Sequence, residues 1–297
     1  MNTFDDPALD PALVAGMPPG RHVGVRGVDV WVHDEGDGPA VLLLHGGAWG
    51  ECAQTTWFRT APALVAAGYR VVAPDWTGFG RSDKIRDFVD LPGRMLADVA
   101  AALREIGVAS VDTAVGLSMG GSNLLRSLAT GGALAPRRAV LVSAGGPPIT
   151  GDARERLMTY DGSLEQMRTQ VRQACASDAW ADHEEYVAMR HAFSLLPGSF
   201  EWFASLGLRS PSAPPPPLGD PVPYESVTVP TLVVIGEADP LKPAGWADDM
   251  VARLPHVDTH VMPGVGHLPP LEAPDAFVAL LLDFLSRPLP STEEVTA

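Results

Sequence analysis

From His22 onward the chain alternates short apolar runs with longer segments in which apolar positions recur at helical spacing. "HVGVRGVDVWVHDEGDGPAVLLLHGG" predicts two strands of alternating polarity, a turn at "DEGDG" and a buried strand "AVLLLH". The spacing then predicts a helix from Trp57 to Ala67, closed by Gly68, a strand at "RVVAPD" and a helix at "MLADVAAALREIG". "DTAVGLS" and "RRAVLVSAGG" read as further buried strands, with a helix after Ser118 between them. "PTLVVIGEAD" and "VDTHVMPG" predict two more strands separated by the helical "PAGWADDMVARL", and "DAFVALLLDFL" a last helix before a polar tail. Apolar strands alternating with helices predict an α/β fold: a mostly parallel central sheet flanked by helices on both faces. The first two strands pair as a hairpin and form an antiparallel edge.

One stretch breaks the alternation. Residues 147–225 carry helical patterns such as Met167, Val171 and Cys175 but no clear buried strand. They end in "PSAPPPPLGDPVP", which is stiff, extended and unable to pair centrally in a sheet. The expected organisation is therefore an inserted helical cap at 147–225 and a core made of 22–146 and 226–287. A loose N-terminal arm at 1–21, rich in Pro, Asp and small residues, and a tail at 288–297 complete it.

Composition narrows the function classes. A formal charge of −15 over 297 residues, with no Lys/Arg cluster, argues against nucleic acid as a partner. No apolar run approaches bilayer length, and "MNTFDDPALDPALVAG" is acidic where a signal peptide would be basic, so a cytoplasmic enzyme without a membrane partner is expected. Cys52 and Cys175 lie far apart with no metal or redox spacing and read as reduced thiols. His22, His33, His183, His191, His256 and His260 show no pairing that suggests a metal site. A small molecule is the expected substrate, and no oligomeric state is legible.

The chemistry gathers at strand ends, where open parallel sheets bind their ligands. "AVGLSMGG" leaves a strand and enters a helix with the pattern G-x-S-x-G, a nucleophile elbow. Gly116 and Gly120 flank Ser118 at minus two and plus two, where the sharp turn presses its neighbours together, and Gly121 gives room for helix packing. A serine attacks well only with a base to take its proton. "VVIGEADP" places Asp239 beyond one strand and "MPGVGHLPPLEAP" places His267 beyond the next, in the chain order Ser, Asp, His. The bland alternative makes Asp239 a turn residue before Pro240 and His267 a loop histidine. The amides of Gly47, in "LLLHGGAWG", and Met119, at the helix start, are the expected oxyanion donors. His45 reads as a brace for its loop. "DWTGFGRSD" reads as a structural turn, since it lacks the full phosphate-binding fingerprint.

Together "HGG", "DWTGFGRSD", "GLSMGG", "GEADP" and "GHLPPLEAP" resemble the α/β-hydrolase superfamily from about residue 22 onward. The resemblance implies that fold and a Ser118–His267–Asp239 triad; no cofactor is expected, because triad chemistry needs none and no metal-ligand spacing appears. Ser118 stands where haloalkane dehalogenases and epoxide hydrolases carry aspartate. "GLSMGG" is similar to oxoadipate enol-lactonases and small carboxylesterases. By contrast "SAGG", "TYDGSLEQMRTQV" and "EEYVAMRHAFSLLPGSFEWFASL" resemble the meta-cleavage product hydrolases, which cut a carbon–carbon bond in a vinylogous diketone. That second resemblance implies that Arg190 grips a substrate carboxylate; the alternative makes Arg190 a solvated helix residue paired with Glu184 or Glu185.

Two positions depart from the second family. Leu117 stands where it usually has asparagine and Leu268 where it usually has tryptophan. A polar substrate group left without a partner there costs about 1–3 kcal/mol. The expectation is therefore a serine hydrolase of a small, fairly apolar ester or lactone, with carbon–carbon cleavage second and a non-catalytic small-molecule receptor third. Leu117, Leu268, Arg190 and Trp49 are the expected substrate contacts, with Trp57, Trp202 and Phe203 as further lining or as plain packing.

Overall fold

A computed structural model of the chain describes residues 14–208 and 222–288. Eight strands form one sheet: β1 (Gly20–Val25), β2 (Val28–Glu35), β3 (Ala40–Leu44), β4 (Arg70–Pro74), β5 (Thr113–Leu117), β6 (Arg138–Val142), β7 (Thr231–Gly236) and β8 (Val257–Met262). Their order across the sheet is β1-β2-β4-β3-β5-β6-β7-β8. β1 and β2 form the antiparallel edge, β2 joins β4 antiparallel, and every pair from β4 to β8 is parallel. The hairpin turns on Arg26 and Gly27 at φ 52° and 79°, the pair of left-handed residues that a two-residue hairpin requires. β5 and β6 are buried at every residue, because helices cover both faces and leave no polar side to an inner parallel strand.

The helices are α1 (Ala53–Trp57), α2 (Thr60–Ala66), α3 (Leu91–Glu105), α4 (Met119–Thr130), α5 (Gly151–Met158), α6 (Leu164–Arg172), α7 (Glu184–Ser194), α8 (Ser199–Ala204), α9 (Asp248–Arg253), α10 (Pro269–Glu272) and α11 (Pro274–Ser286). The helix expected from Trp57 to Ala67 is two helices. Pro62 would break the interior of one long helix, but starting α2 at Thr60 places it in a first turn, where its missing N–H is harmless. The helix expected over "PAGWADDMVARL" is only α9, because Gly245 at φ 72° turns the chain just before it.

Between β6 and β7 the described residues hold four α-helices, α5 to α8, two single 3-10 turns at Ser205–Gly207 and Tyr224–Ser226, and no strand. Met167, Val171 and Cys175 are all buried, as their spacing predicts for one inward face. At the other end β1 begins at Gly20, inside the expected arm, and the Pro18 carbonyl is bonded to buried His33 at 2.7 Å. Most of the arm, the proline tract and the tail lie outside the described residues. Among the described residues no helix is long and apolar enough to cross a membrane.

Candidate active site

Ser118 sits between β5 and α4 at φ 49° and ψ −114°, a left-handed conformation rare for a residue with a side chain. Such backbone costs on the order of 1–3 kcal/mol and persists where the surroundings fix it. Here they do. The Ser118 N–H donates to the Val142 carbonyl at 2.8 Å, and its own carbonyl accepts the Ser122 N–H at 2.9 Å and hydroxyl at 3.0 Å.

The glycines around it are forced, in a way that differs in part from the simple picture of minus two against plus two. A Cβ on Gly116 would overlap the Gly121 backbone, one on Gly121 the Ala144 side chain, and one on Gly120 the carbonyl oxygens of Leu44 and His45. The crowding therefore reaches from the elbow to the end of β3, not only across the turn itself.

Three side chains from distant parts of the chain meet at the elbow. His267 Nε2 lies 2.9 Å from Ser118 Oγ, and His267 Nδ1 lies 2.7 Å from Asp239 Oδ2. Asp239 follows β7 and His267 follows β8, and both are at least nine-tenths buried. With an acidic oxygen against Nδ1, the proton belongs on that nitrogen, leaving Nε2 free to accept the serine proton. The other Asp239 oxygen accepts the Leu241 N–H at 2.8 Å, which fixes the carboxylate's rotation. A serine so placed can be deprotonated and can attack an electrophilic carbon.

Gly47 and Met119 face each other across the elbow: a Cβ on Gly47 would lie 3.0 Å from Met119 Cβ. Met119 is the first residue of α4, where amide N–H groups point out of the helix without internal partners. His45 next to Gly47 braces its loop. Its Nε2 accepts the Trp76 N–H at 3.0 Å, its Nδ1 meets the Gly46 carbonyl at 2.7 Å, and burial holds its pKa below the ordinary value. "DWTGFGRSD" is likewise a packed turn: the two Asp75 carboxylate oxygens accept the Ala53 and Arg81 amides, each at 2.8 Å.

A small pocket is lined by Leu117, Leu268, Glu51, Thr55, Thr56 and Tyr186, among others. Leu117 precedes Ser118 and Leu268 follows His267, so the pocket borders one sequence neighbour of each of these two residues. Burial pushes the Tyr186 phenol above its ordinary range, so it presents a neutral hydroxyl.

Arg190 is 1% exposed, which overturns its reading as a solvated residue. Glu184 is taken by Arg168 at 2.7 Å and Glu185 by His183 at 3.2 Å. Arg190 instead donates from Nη2 to the Trp49 carbonyl at 2.6 Å and faces Glu51 at 3.8 Å. Trp49 is part of an aromatic cluster rather than a wall of this pocket. Its ring stacks on Phe203 at 3.9 Å with Tyr160 and Phe200 alongside. Trp202 packs edge-on against Phe79 and donates to the Ile85 carbonyl at 2.7 Å, and Trp57 is fully buried.

Sequence reasoning passed over Glu51, Tyr186 and Glu272. Glu51 alone carried a local signal, being the single charge in the apolar, glycine-rich stretch "LLLHGGAWGECA".

The Alpha/beta hydrolase family model matches residues 41–280. The chain is 30% identical over 281 residues to the 2-hydroxy-6-oxo-6-phenylhexa-2,4-dienoate hydrolase of Burkholderia cepacia, covering 89% of this chain and 93% of that one. Among solved structures it is similar to the meta-cleavage product hydrolase CumD of Pseudomonas fluorescens IP01, at 25% identity and a TM-score of 0.77, over 89% of this chain and 97% of that one. It shares its fold with the carboxylesterase CesB of Bacillus subtilis, at 20% identity and a TM-score of 0.75, over 93% and 94% of the two chains. With a match that runs from β3 into α11, this chain belongs to the alpha/beta hydrolase family and is a hydrolase.

Proposed function

We propose that Ser118, His267 and Asp239 form a catalytic triad that cleaves a small, fairly apolar carboxylic ester or lactone through an acyl-enzyme. The observation that carries this reading is the unbroken chain of short contacts from Asp239 through His267 to a serine raised on a strained turn. His267, oriented by Asp239, removes the Ser118 proton as the oxygen attacks the carbonyl carbon. The resulting oxyanion is held by the Gly47 and Met119 amides, which are preorganised by the glycine loop and the start of α4. His267 returns the proton to the leaving alcohol, then activates a water that releases the acid. Residues 147–225 serve as the lid over this site, and the cytoplasm, where the two free buried thiols stay reduced, is its compartment.

The apolar substrate class is supported by the two leucines next to Ser118 and His267 in sequence. Leu117 and Leu268 bring no side-chain hydrogen-bond donor, so a polar group of the substrate placed against them goes unpartnered. A second reading, carbon–carbon cleavage of a vinylogous diketone, is supported by the dienoate hydrolase relative and by Arg190 standing behind the pocket. In that case the substrate ketonises before Ser118 attacks, so that a carbanion can leave.

The test is a side-by-side assay of p-nitrophenyl esters of graded length and a coloured dienoate ring-fission product, with wild type and Ser118→Ala. Ester turnover that disappears together with fluorophosphonate labelling in Ser118→Ala is the expected result. Turnover of the dienoate alone moves the assignment to the second reading. Full activity in Ser118→Ala removes the triad from both.

A further inference from the structure

Gly145 joins the two loops that carry Ser118 and Asp239. It follows β6 in a short run where Ser143, Gly145 and Gly146 all have positive φ, at 48°, 79° and 63°. A Cβ on Gly145 would overlap Met250 Sδ, and one on Gly146 would lie 2.7 Å from the Trp246 carbonyl oxygen. The Gly145 N–H donates to Ser122 Oγ at 3.1 Å, and the Ser122 hydroxyl in turn donates to the Ser118 carbonyl at 3.0 Å. The Gly145 carbonyl accepts a bond from Lys242 Nζ at 2.8 Å, and Lys242 also reaches the Pro147 carbonyl at 3.3 Å. The Lys242 ammonium lies 4.5 Å from the centre of the Trp246 ring, a cation–π contact that steadies the long side chain. Lys242 directly follows Leu241, whose N–H fixes the Asp239 carboxylate.

We propose that Gly145 is the middle of a strut that sets the spacing of nucleophile and acid, with Ser122 and Lys242 as its two positioning residues. The effect on rate rests on the serine-hydrolase reading. His267 links Ser118 to Asp239 through its ring; Ser122, Gly145 and Lys242 link the loops of the same two residues from the backbone. The nucleophile end matters twice. Ser118 has a ψ of −114°, outside the ordinary wells, so its carbonyl is held in place rather than preferred there. That carbonyl and the Met119 N–H belong to one planar peptide, so a donor that fixes the first also fixes the direction of an oxyanion amide. The helix supplies one such donor, the Ser122 N–H at 2.9 Å, and the Ser122 hydroxyl adds a second that is itself tied to Gly145. At the acid end the charge on Lys242 makes its bond to Gly145 stronger than one between neutral groups.

The rate of fluorophosphonate labelling and the kcat and KM for p-nitrophenyl butyrate test this on the whole protein. Ser122→Ala and Lys242→Met are each expected to lower the labelling rate and kcat roughly tenfold, with KM nearly unchanged, because small misplacements at a reacting centre are costly. The double variant is expected to fall no further than the slower single one, since one strut is broken only once. Lys242→Arg should recover most of the loss. Thr130→Ala removes the same kind of hydroxyl-to-carbonyl bond on α4, to Arg126 and away from the elbow, and should label at the wild-type rate. A wild-type rate in Ser122→Ala, or losses that multiply in the double variant, overturns the proposal. Should Lys242→Met not fold, Ser122→Ala decides alone. The ¹⁵N shift of His267 Nε2, which faces Ser118 Oγ, reads the same spacing without any turnover. In both single variants it is expected to move toward its value in Ser118→Ala, and an unmoved shift sinks the strut. Wild type that neither labels nor turns over the ester sinks the serine-hydrolase reading instead, and a moving shift then keeps the strut.

Discussion

The Glu272 carboxylate accepts the Ala176 amide N–H at 2.7 Å, so the loop that carries His267 is tied to the helical segment between β6 and β7. The same carboxylate accepts the N–H groups of Gly266 and Leu268, each at 3.0 Å, from the two residues that flank His267. The His267 N–H itself donates to the Ala174 carbonyl at 2.9 Å. A Cβ on Gly266 would lie 2.5 Å from the Ala176 nitrogen, so the two backbones touch. The imidazole is therefore held from behind by backbone bonds, while Asp239 and Ser118 engage its ring.

Glu272→Ala removes the shared acceptor of three amides. Charge-assisted bonds of this kind are worth about 1.5–3 kcal/mol each when buried and less where water replaces them, as it can at exposed Ala176. A loss of stability of about 1–3 kcal/mol is expected. The looser histidine loop is expected to lower kcat by roughly 10–100-fold with KM nearly unchanged, because small misplacements at a reacting centre are costly. Glu272→Gln, which retains one oxygen acceptor, recovers part of both. Thermal melts and steady-state kinetics on the three proteins decide the matter: a wild-type kcat in a destabilised Glu272→Ala leaves the residue a purely structural part.

Asp239→Asn separates an orienting acid from a mere turn residue. An asparagine still accepts the Leu241 N–H, so the loop is expected to keep its fold. What changes is the group facing His267 Nδ1, which no longer favours the tautomer with a free Nε2. The expected fall in kcat is roughly 10³–10⁴-fold, with little effect on KM. A fall of less than tenfold would return Asp239 to the bland reading.

Why some of this was legible and some not follows from where the information lies. Buried parallel strands have to be apolar on both faces, so β3 to β7 stand out as unbroken runs, and the residues after them are located by where the runs end. That is why Ser118 and Asp239 can be picked out from chain order, whereas His267 follows β8, a mostly exposed edge strand, and is placed by coming after the next strand in order. The α1–α2 break was hidden, because apolar positions continue through Phe58 and only Pro62 marks the interruption. Arg190 drew notice through resemblance, but its partner is set by tertiary packing: nothing near Arg190 in the sequence points to Glu51. Trp49 was expected on the pocket wall for the same reason, since which of several aromatics it stacks on is a property of the folded layers and not of its neighbours in the chain.

The crowding at the elbow predicts a steep penalty at one position. A methyl on Gly120 meets the Leu44 and His45 carbonyl oxygens, backbone atoms at the end of β3 that cannot swing aside as a flexible side chain would. Gly120→Ala is expected to cost about 1–3 kcal/mol or more, with a melting temperature several degrees lower and reduced turnover as the loop bearing Gly47 shifts. Gly207 supplies the control, because a Cβ there meets nothing within 4 Å and its φ is not positive. Gly207→Ala should melt with the wild type. Equal melting of the two variants would mean that the elbow has slack.

Cys52 gives the pH dependence a definite sign. Burial, reinforced by nearby Asp75, pushes its thiol from an ordinary 9.0 up to about 12. Between those values the unfolded chain has lost the proton and the folded chain retains it, so the native state binds more protons and stability must fall as pH rises. The slope belonging to this one group is roughly 1.4 kcal/mol per pH unit above about pH 9. Other titrating groups, buried Cys175 included, are shared with Cys52→Ala and cancel when the two proteins are compared. Urea unfolding of wild type and Cys52→Ala from pH 8 to 11 should therefore give a stability difference that moves steadily in favour of the alanine variant above pH 9. Parallel curves over that range would show that the thiol ionises as readily in the folded protein as in the unfolded one.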